Sequence, residues 1–270
     1  MQIIGEKING TRKRVAQAIA ERDAAFIADL AKRQTEAGAH WLDVNAGTMP
    51  AQEPDDLLWL VEVIQGVVDT PLCLDSANPK ALRVAIEAVH HPPMINSISG
   101  ERERLENILP IVVAHGCRVI ALALDGKKIP ETSGQRMAVI HRIMAATRAA
   151  GIPDERVYVD PLALTLATNT QSALIALETM RAVRAEYPDV HLTTRFHNIS
   201  FGLPARSYIN RYFLALAMAA GLDCAILDPL DREIQAAILT TRLLLGRDLR
   251  CLDFIRAARR GMFNTSPSTP

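Results

Sequence analysis

Two rhythms of apolar residues alternate along this chain. Short β-branched runs, "QIIGE", "HWLDVNA", "PLCLDS", "PMINSIS", "RVIALALD", "VYVDPLAL", "HLTTRFHN" and "CAILDP", are each followed by a longer stretch in which apolar residues return every three or four positions. The first rhythm is that of strands buried on both faces, the second that of helices burying one stripe. The helical stretches are "DAAFIADLAKRQTEAG", "PDDLLWLVEVIQGVV", "PKALRVAIEAVHH", "ERLENILPIVVAHG", "SGQRMAVIHRIMAATRAAG", "TQSALIALETMRAVRAEYP", "SYINRYFLALAMAAG" and "REIQAAILTTRLLLG". Gly38, Gly116, Gly151, Gly221 and Gly246 stand where five of them end, as left-handed stops. Asn78-Pro79 supplies an N-cap with proline at the first helical position. Eight strand–helix pairs of this length predict an α/β fold, a (β/α)8 TIM barrel, with a doubly wound open sheet as the alternative.

No composition shift or long linker divides the chain, so residues 1–262 read as one barrel domain and 263–270 as a disordered polar tail. "CLDFIRAARRGMF" before the tail predicts one more short helix, packed on the barrel or on a second subunit.

Strand after strand stops at a carboxylate or carboxamide: Asp43 with Asn45, Asp75, Asn96, Asp125, Asp160, Asn198 and Asp228. Parallel barrel strands share a direction, so these residues converge on the C-terminal face, where barrel enzymes hold their sites. Asp and Asn also end strands to cap helices or make turns. Asp43, Asp125 and Asp228 suit that bland role, although Asp43 also stays among the substrate-contacting candidates. Asp160 differs, because Pro161 denies the strand a further donor and holds the carboxylate at the rim. Two carboxylates, Asp75 and Asp160, with the carboxamide of Asn96 match a flat heterocycle rich in donors and acceptors, such as a 2-amino-4-oxo pterin. No phosphate-binding loop of the G-x-x-x-x-G-K-[ST] or G-x-G-x-x-G kind accompanies them.

Composition narrows the partners. The 270 residues carry 30 basic and 30 acidic side chains, which gives no general electrostatic drive toward nucleic acid or an anionic membrane. No segment reaches the roughly 18 uninterrupted apolar residues of a membrane span. Cys73, Cys117, Cys224 and Cys251 stand singly in apolar segments, which predicts buried reduced thiols in a cytoplasmic protein. No cluster of Cys and His has zinc-site spacing, so no protein-bound metal is expected. His90-His91, His115 and His141 read as solvated or capping residues. Lys127-Lys128 read as a solvated pair on the mouth side, also able to attract an acidic group.

Taken in order, "IIGEKING", "LDVNAG", "LDSANPKAL", "INSIS", "DPLA" and "NISFGLP" followed by "INRYFLALAMAAGLDCAILDPLD" are fairly specific as a set, though each alone is weak. The chain resembles, from about Ile3 to the final helix, the pterin-binding methyltransferases that move a methyl group between methyltetrahydrofolate and a corrinoid protein. That family includes the corrinoid/iron–sulfur protein methyltransferases and the folate domain of cobalamin-dependent methionine synthase. The resemblance implies a dihydropteroate synthase-like barrel, a homodimer, tetrahydrofolate as substrate, and cobalamin supplied by a partner protein of the corrinoid or corrinoid/iron–sulfur kind. It implies that Asp75, Asn96 and Asp160 hydrogen-bond the pterin ring and that Asn198 contacts its methyl-bearing nitrogen, with Asn198 and Asp160 carrying the chemistry. Glu6, Asn9 and Arg12 are candidates to frame the pterin.

The main departure of the chain from that family falls just before Asn198. Where the relatives read Gly-Leu-Ser before the strand-seven asparagine, this chain reads Arg195-Phe196-His197. If Asn198 faces the axis, strand alternation turns Thr194 and Phe196 inward and Arg195 and His197 toward the helices. An unpaired buried guanidinium is costly, so Arg195 is expected at the polar rim or beside an acid. Three meanings stand open: a structural polar contact; a specificity element including Arg195, His197 and Phe201; or altered or lost methyl transfer in a protein that still binds pterin. A smaller departure is Thr165 with Asn169 in the loop after strand six. A dihydropteroate synthase-like reaction is the alternative activity, disfavoured by "EKINGTRKR" and "FHNISF" where that family carries other loops.

Overall fold

The first strand, β1 (Gln2–Asn9), pairs in parallel on both sides, with β2 (Trp41–Asn45) and with β8 (Cys224–Leu227). Between them run β3 (Leu72–Asp75), β4 (Met94–Ser99), β5 (Arg118–Leu122), β6 (Val157–Asp160) and β7 (His191–Leu192), in the order β7-β6-β5-β4-β3-β2-β1-β8. The Asp223 N–H to Leu192 O bond (3.4 Å) and the Ile226 N–H to Thr194 O bond (3.1 Å) bring the two sheet ends together. All eight expected strands are present in this (β/α)8 barrel. The computed structural model describes residues 1–126 and 129–263.

The two faces of each strand divide the core in the way the pleat requires. Ile3, Leu42, Leu74, Ile95, Val119, Val159, Leu192 and Leu227 face outward and join one large cluster with the helices. Ile4, Trp41, Cys73, Met94, Ile120, Tyr158, Cys224 and Ile226 face inward and form a separate small cluster inside the barrel. Gln2 sits below it and accepts hydrogen bonds at Oε1 from the Trp41 indole (3.2 Å) and the Tyr158 hydroxyl (3.0 Å). One pleat further along, the inward line continues with Glu6, Asp43, Asp75, Asn96, Asp160 and Asp228. Those residues are the next layer up, which is how an apolar plug comes to carry a polar lid.

The outer ring is α2 (Ala24–Glu36), α3 (Glu53–Gln65), α4 (Pro79–Ile86), α5 (Arg102–Ala114), α6 (Ser133–Ala149), α7 (Ser172–Glu186), α8 (Arg206–Ala219) and α9 (Arg232–Leu244). Local chemistry sets many of the ends. Asn78 accepts from the Lys80 N–H, Thr132 and Gln135 form a reciprocal capping box, and all five expected stop glycines hold φ between 61° and 111°. The C-terminal α10 (Leu252–Arg259) is present as predicted. Phe263, assigned to the tail from sequence, stacks on Phe254 at 4.6 Å between centroids, and 264–270 lie outside the described residues.

Three local expectations change. An additional helix, α1 (Lys13–Ala20), fills the loop after β1 and buries Val15, Ala18 and Ile19. Cys251 is exposed instead of buried, because it holds φ 59° in a turn between α9 and α10, while the other three thiols are buried. Strand β7 has only two residues; Phe196–Ser200, expected in part as strand, is a 3-10 turn.

Gly10 sits where the exits of β1 and β2 touch: a Cβ there would lie 1.8 Å from Ala46 O, backbone against backbone. Gly10→Ala is therefore expected to cost about 2 kcal/mol or more in urea unfolding. Gly134, near the start of α6 with open space around it, is expected to gain about 0.5–1 kcal/mol as alanine in the same measurement.

Candidate active site

The polar layer is crowded and mostly dry. Asp43 is completely buried, and Asn96 and Asp160 are 8% and 6% exposed. Register places Asp75 directly beside Asn96 across the β3–β4 pairing. Asn96 Nδ2 donates to Asp43 Oδ1 at 3.2 Å, and Asn45 Nδ2 donates to the Asp75 carbonyl at 3.0 Å. Into this cluster reaches Arg195, whose Nη2 lies 3.1 Å from Asp43 Oδ2 and 3.3 Å from Asp75 Oδ2.

The orientation of Arg195 overturns one expectation and satisfies another. It points to the axis, not toward the helices, because the inward line of β7 is His191, Thr193 and Arg195: His191 stacks on Tyr158 at 4.4 Å. Beyond Arg195 the 3-10 turn breaks the two-residue period. Phe196 consequently swings into the helix-side core, fully buried, and His197 turns to Glu6 with Nδ1 3.4 Å from Oε1. The half-buried guanidinium is paired with two acids, as its partial loss of water requires.

Asn198 occupies the turn itself. Its N–H donates to Arg195 O (3.2 Å), its carbonyl accepts from the Phe201 N–H (3.1 Å), and the residue is exposed at the rim. Its side chain makes no hydrogen bond to the described residues. Asn9 Oδ1 accepts from the Thr11 N–H (3.0 Å) and hydroxyl (2.7 Å). Phe201 is 66% exposed beyond the turn, with the Arg206 guanidinium over its ring. Glu6 accepts from Arg12 (3.1 Å), and Asp228 accepts from Lys7 (2.6 Å). Asp125 stands 3.6 Å from Arg142 and outside the layer. The Lys127-Lys128 pair lies outside the described residues.

Sequence reasoning passed over Arg136. It is almost fully buried and donates to Pro161 O (2.8 Å), Leu162 O (2.7 Å) and Pro130 O (3.2 Å). Asp160 completes the clamp by accepting the Leu162 N–H at 2.8 Å, and Leu162 is held at φ 66°. The signal was available: Arg136 stands in the buried stripe of α6 with Val139, Ile140 and Ile143.

These surroundings shift the acids. Burial, reinforced by repulsion from Asp43, pushes Asp75 up to about 7 against the pull of Arg195 and a hydrogen bond from Asn45. Burial likewise pushes Asp160 up to about 6, opposed by the Leu162 N–H, the Thr194 hydroxyl and the charges of Arg195 and Arg136. Asp43 also moves upward, chiefly by burial. Glu6 moves the other way: burial alone would raise it, and the hydrogen bond and charge of His197, with Arg195 and Arg12, outweigh that. A carboxyl titrating near neutrality can both donate and accept a hydrogen bond. Beside the layer, at the exits of β4 and β5, opens a cleft of about 460 Å³ lined by Ser97, Ser99, Arg104, Leu122 and Leu124 among others.

A parallel (β/α)8 barrel whose C-terminal mouth carries buried, shifted acids belongs to the class of barrel enzymes that hold their site at that mouth. Within that class the chain belongs to the family described as "Pterin binding enzyme", whose model matches residues 5–228. It is 37% identical, over 263 residues covering 97% of each chain, to the methylcorrinoid:tetrahydrofolate methyltransferase of Eubacterium limosum. It is 29% identical over 237 residues to the methionine synthase of Mycobacterium tuberculosis, covering 83% of this chain and 20% of that protein. Among solved structures it is similar in fold to the dihydropteroate synthase of Yersinia pestis, at TM-score 0.64 and 18% identity, covering 91% of this chain and 93% of that one. The dihydropteroate synthase of Coxiella burnetii, determined with pteroic acid, has TM-score 0.65 at 17% identity, covering 90% and 94%.

Asp160 gives a stability test with a defined sign. Its folded pKa stands above the ordinary value of 3.8, so its contribution is fully present below about pH 4 and is lost as pH rises through about 6. Asp160→Asn keeps an oxygen for the Leu162 N–H and removes the charge. Urea unfolding is expected to show the variant about 1–3 kcal/mol more stable than the parent at pH 8, with the difference shrinking toward pH 4.

Proposed function

We propose that this chain transfers a methyl group between a methylcorrinoid protein and tetrahydrofolate, with the ring held by Asp75, Asn96 and Asp160 and its methyl-bearing nitrogen met by Asn198. The observation that carries the reading is the acid-and-amide layer of one barrel mouth, in a chain that matches a methylcorrinoid:tetrahydrofolate methyltransferase over almost its whole length.

The chemistry follows from the nitrogen. As a nucleophile it gains a methyl and must shed a proton; as a leaving group it is a tertiary amine and must gain a proton or a strong hydrogen bond. The carboxamide of Asn198, exposed on its turn, turns its oxygen toward an N–H+ in either direction. The shifted carboxyls of Asp75 and Asp160 hydrogen-bond the ring without adding full negative charges to a dry site. The corrinoid, carried by a separate protein as the second substrate, supplies the reactivity of the cobalt–carbon bond. This chain supplies position and electrostatics.

The homodimer implied by the resemblance forms part of the same reading. Tyr212 and Leu216 on α8 and Leu244 on α9 are 70%, 55% and 79% exposed, and they supply an apolar face for a second copy. Sedimentation is expected to give a dimer that Leu244→Glu dissociates while the barrel stays folded.

The decisive assay mixes the protein with methyltetrahydrofolate and Co(I) corrin and follows loss of the Co(I) absorbance. Asn198→Ala is expected to lower kcat about 10²-fold with KM for the folate within a few-fold of the parent. Intact folate binding without any methylcobalt formation would sink the transfer reading and leave a pterin-binding protein. A dihydropteroate synthase reaction has less support, since similarity to those enzymes is confined to the fold.

A further inference from the structure

Arg195 is required neither by the barrel nor by the transfer just described. Where neighbouring strands present carboxyls or a carboxamide to the polar layer, β7 presents a guanidinium, and it lies on two of those acids at 3.1 and 3.3 Å. Asp43 beneath it has no exposure, whereas the Arg195 side chain keeps 30% of its own. The guanidinium therefore lies on the more open side of the layer, with Asp43 beneath it.

The 2-amino-4-oxo edge of a pterin is itself a cyclic guanidine. It offers a ring N–H and an amino group on one carbon, in one plane, the same fork of donors that an arginine offers a carboxylate. We propose that Arg195 is an internal surrogate for the ring: its guanidinium holds the place of the amino-pyrimidine edge against Asp43 and Asp75 until the ring arrives, then withdraws to the rim. The inference rests on the pterin reading and adds a specificity-determining residue to it. Only a ligand with a comparable donor fork can take over from the guanidinium without leaving the acids unpaired.

A consequence follows from charge. The arriving edge is neutral, so the carboxyl pair loses its counter-charge. Asp75 is further faced by Asp43 and Glu53 as like charges and by Arg104 as a cation, and Glu6 and Asp160 also feel the charge of the Arg195 guanidinium. Burial and these like charges already push Asp75 up to about 7 with Arg195 in contact. Withdrawal of the arginine pushes it further in the same direction, and the pair takes up a proton as the ring binds. Ring binding is then favoured as pH falls from 8 toward 7.

Titration calorimetry with tetrahydrofolate at pH 8, in two buffers of different protonation heat, tests this on the intact protein. The parent is expected to take up about one proton per ring bound. Arg195→Met, whose acids hold that proton beforehand, is expected to bind about tenfold more tightly with much smaller uptake, because the self-occupied state no longer competes. Arg195→Lys, a cation without the fork, is expected between the two. Weaker binding by a folded Arg195→Met, or equal affinity and equal proton uptake, would overturn the displacement while leaving the pterin reading intact. Absence of binding to both folded parent and variant would bring down the pterin reading itself. Should Arg195→Met not fold, the parent labelled with 15N-arginine decides: the Arg195 side-chain N–H, identified from Arg195→Lys, is expected to change from slow to fast solvent exchange on saturation. A signal that stays protected with the ring bound overturns the proposal.

Discussion

Dry carboxyl groups sharing one layer of a barrel set the terms for the rest of this site. Asp43, Asp75 and Asp160 stand one pleat above an apolar plug, and each is displaced upward in pKa by burial. Two adjacent carboxylates in such a place cannot both ionise without a counter-charge or a shared proton. Arg195 supplies the counter-charge, Asn96 and Asn45 supply donors, and the site keeps polar capacity without the full desolvation cost of free anions.

The scaffold holds this layer rigid from outside. Helix-side packing of the outward residues leaves each strand only one orientation, so the inward residues cannot exchange faces. Arg136 fixes the exit of β6 by binding two loop carbonyls, and Asp160 ties the same loop from within. On the opposite side, Gly10 lets the exits of β1 and β2 touch. By contrast the β7 exit is a short 3-10 turn, and it carries Asn198, the side chain proposed to meet the reacting nitrogen, outside any ladder. A fixed floor with a free carboxamide above it suits recognition of a flat ring followed by a local charge change.

Much of this was legible in the chain. Strand ends at Asp75, Asn96 and Asp160 converge because parallel strands share a direction, and the stop glycines and the Asn78-Pro79 cap sit where local chemistry puts them. Helix α1 was missed although Val15, Ala18 and Ile19 have helical spacing, since charges surround them and the stretch is short. Arg136 was passed over because composition marks arginine as a surface residue, whereas its place in an apolar stripe marks it as buried.

The sequence by itself determined the barrel, the polar mouth and the residues that furnish it, because two-residue and 3.6-residue periods decide which side chains face a common axis. Only the tertiary structure decided the direction of Arg195. Alternation counted back from Asn198 turns it outward, but β7 ends at Leu192 and the backbone coils at Phe196, so the count no longer applies. Tertiary structure also set the acidities, since the pKa of Asp75 depends on Asp43 and Arg195, 32 and 120 residues away in the chain, and on how much water they share. Those are properties of a closed surface, and they exist only once eight distant strands have met.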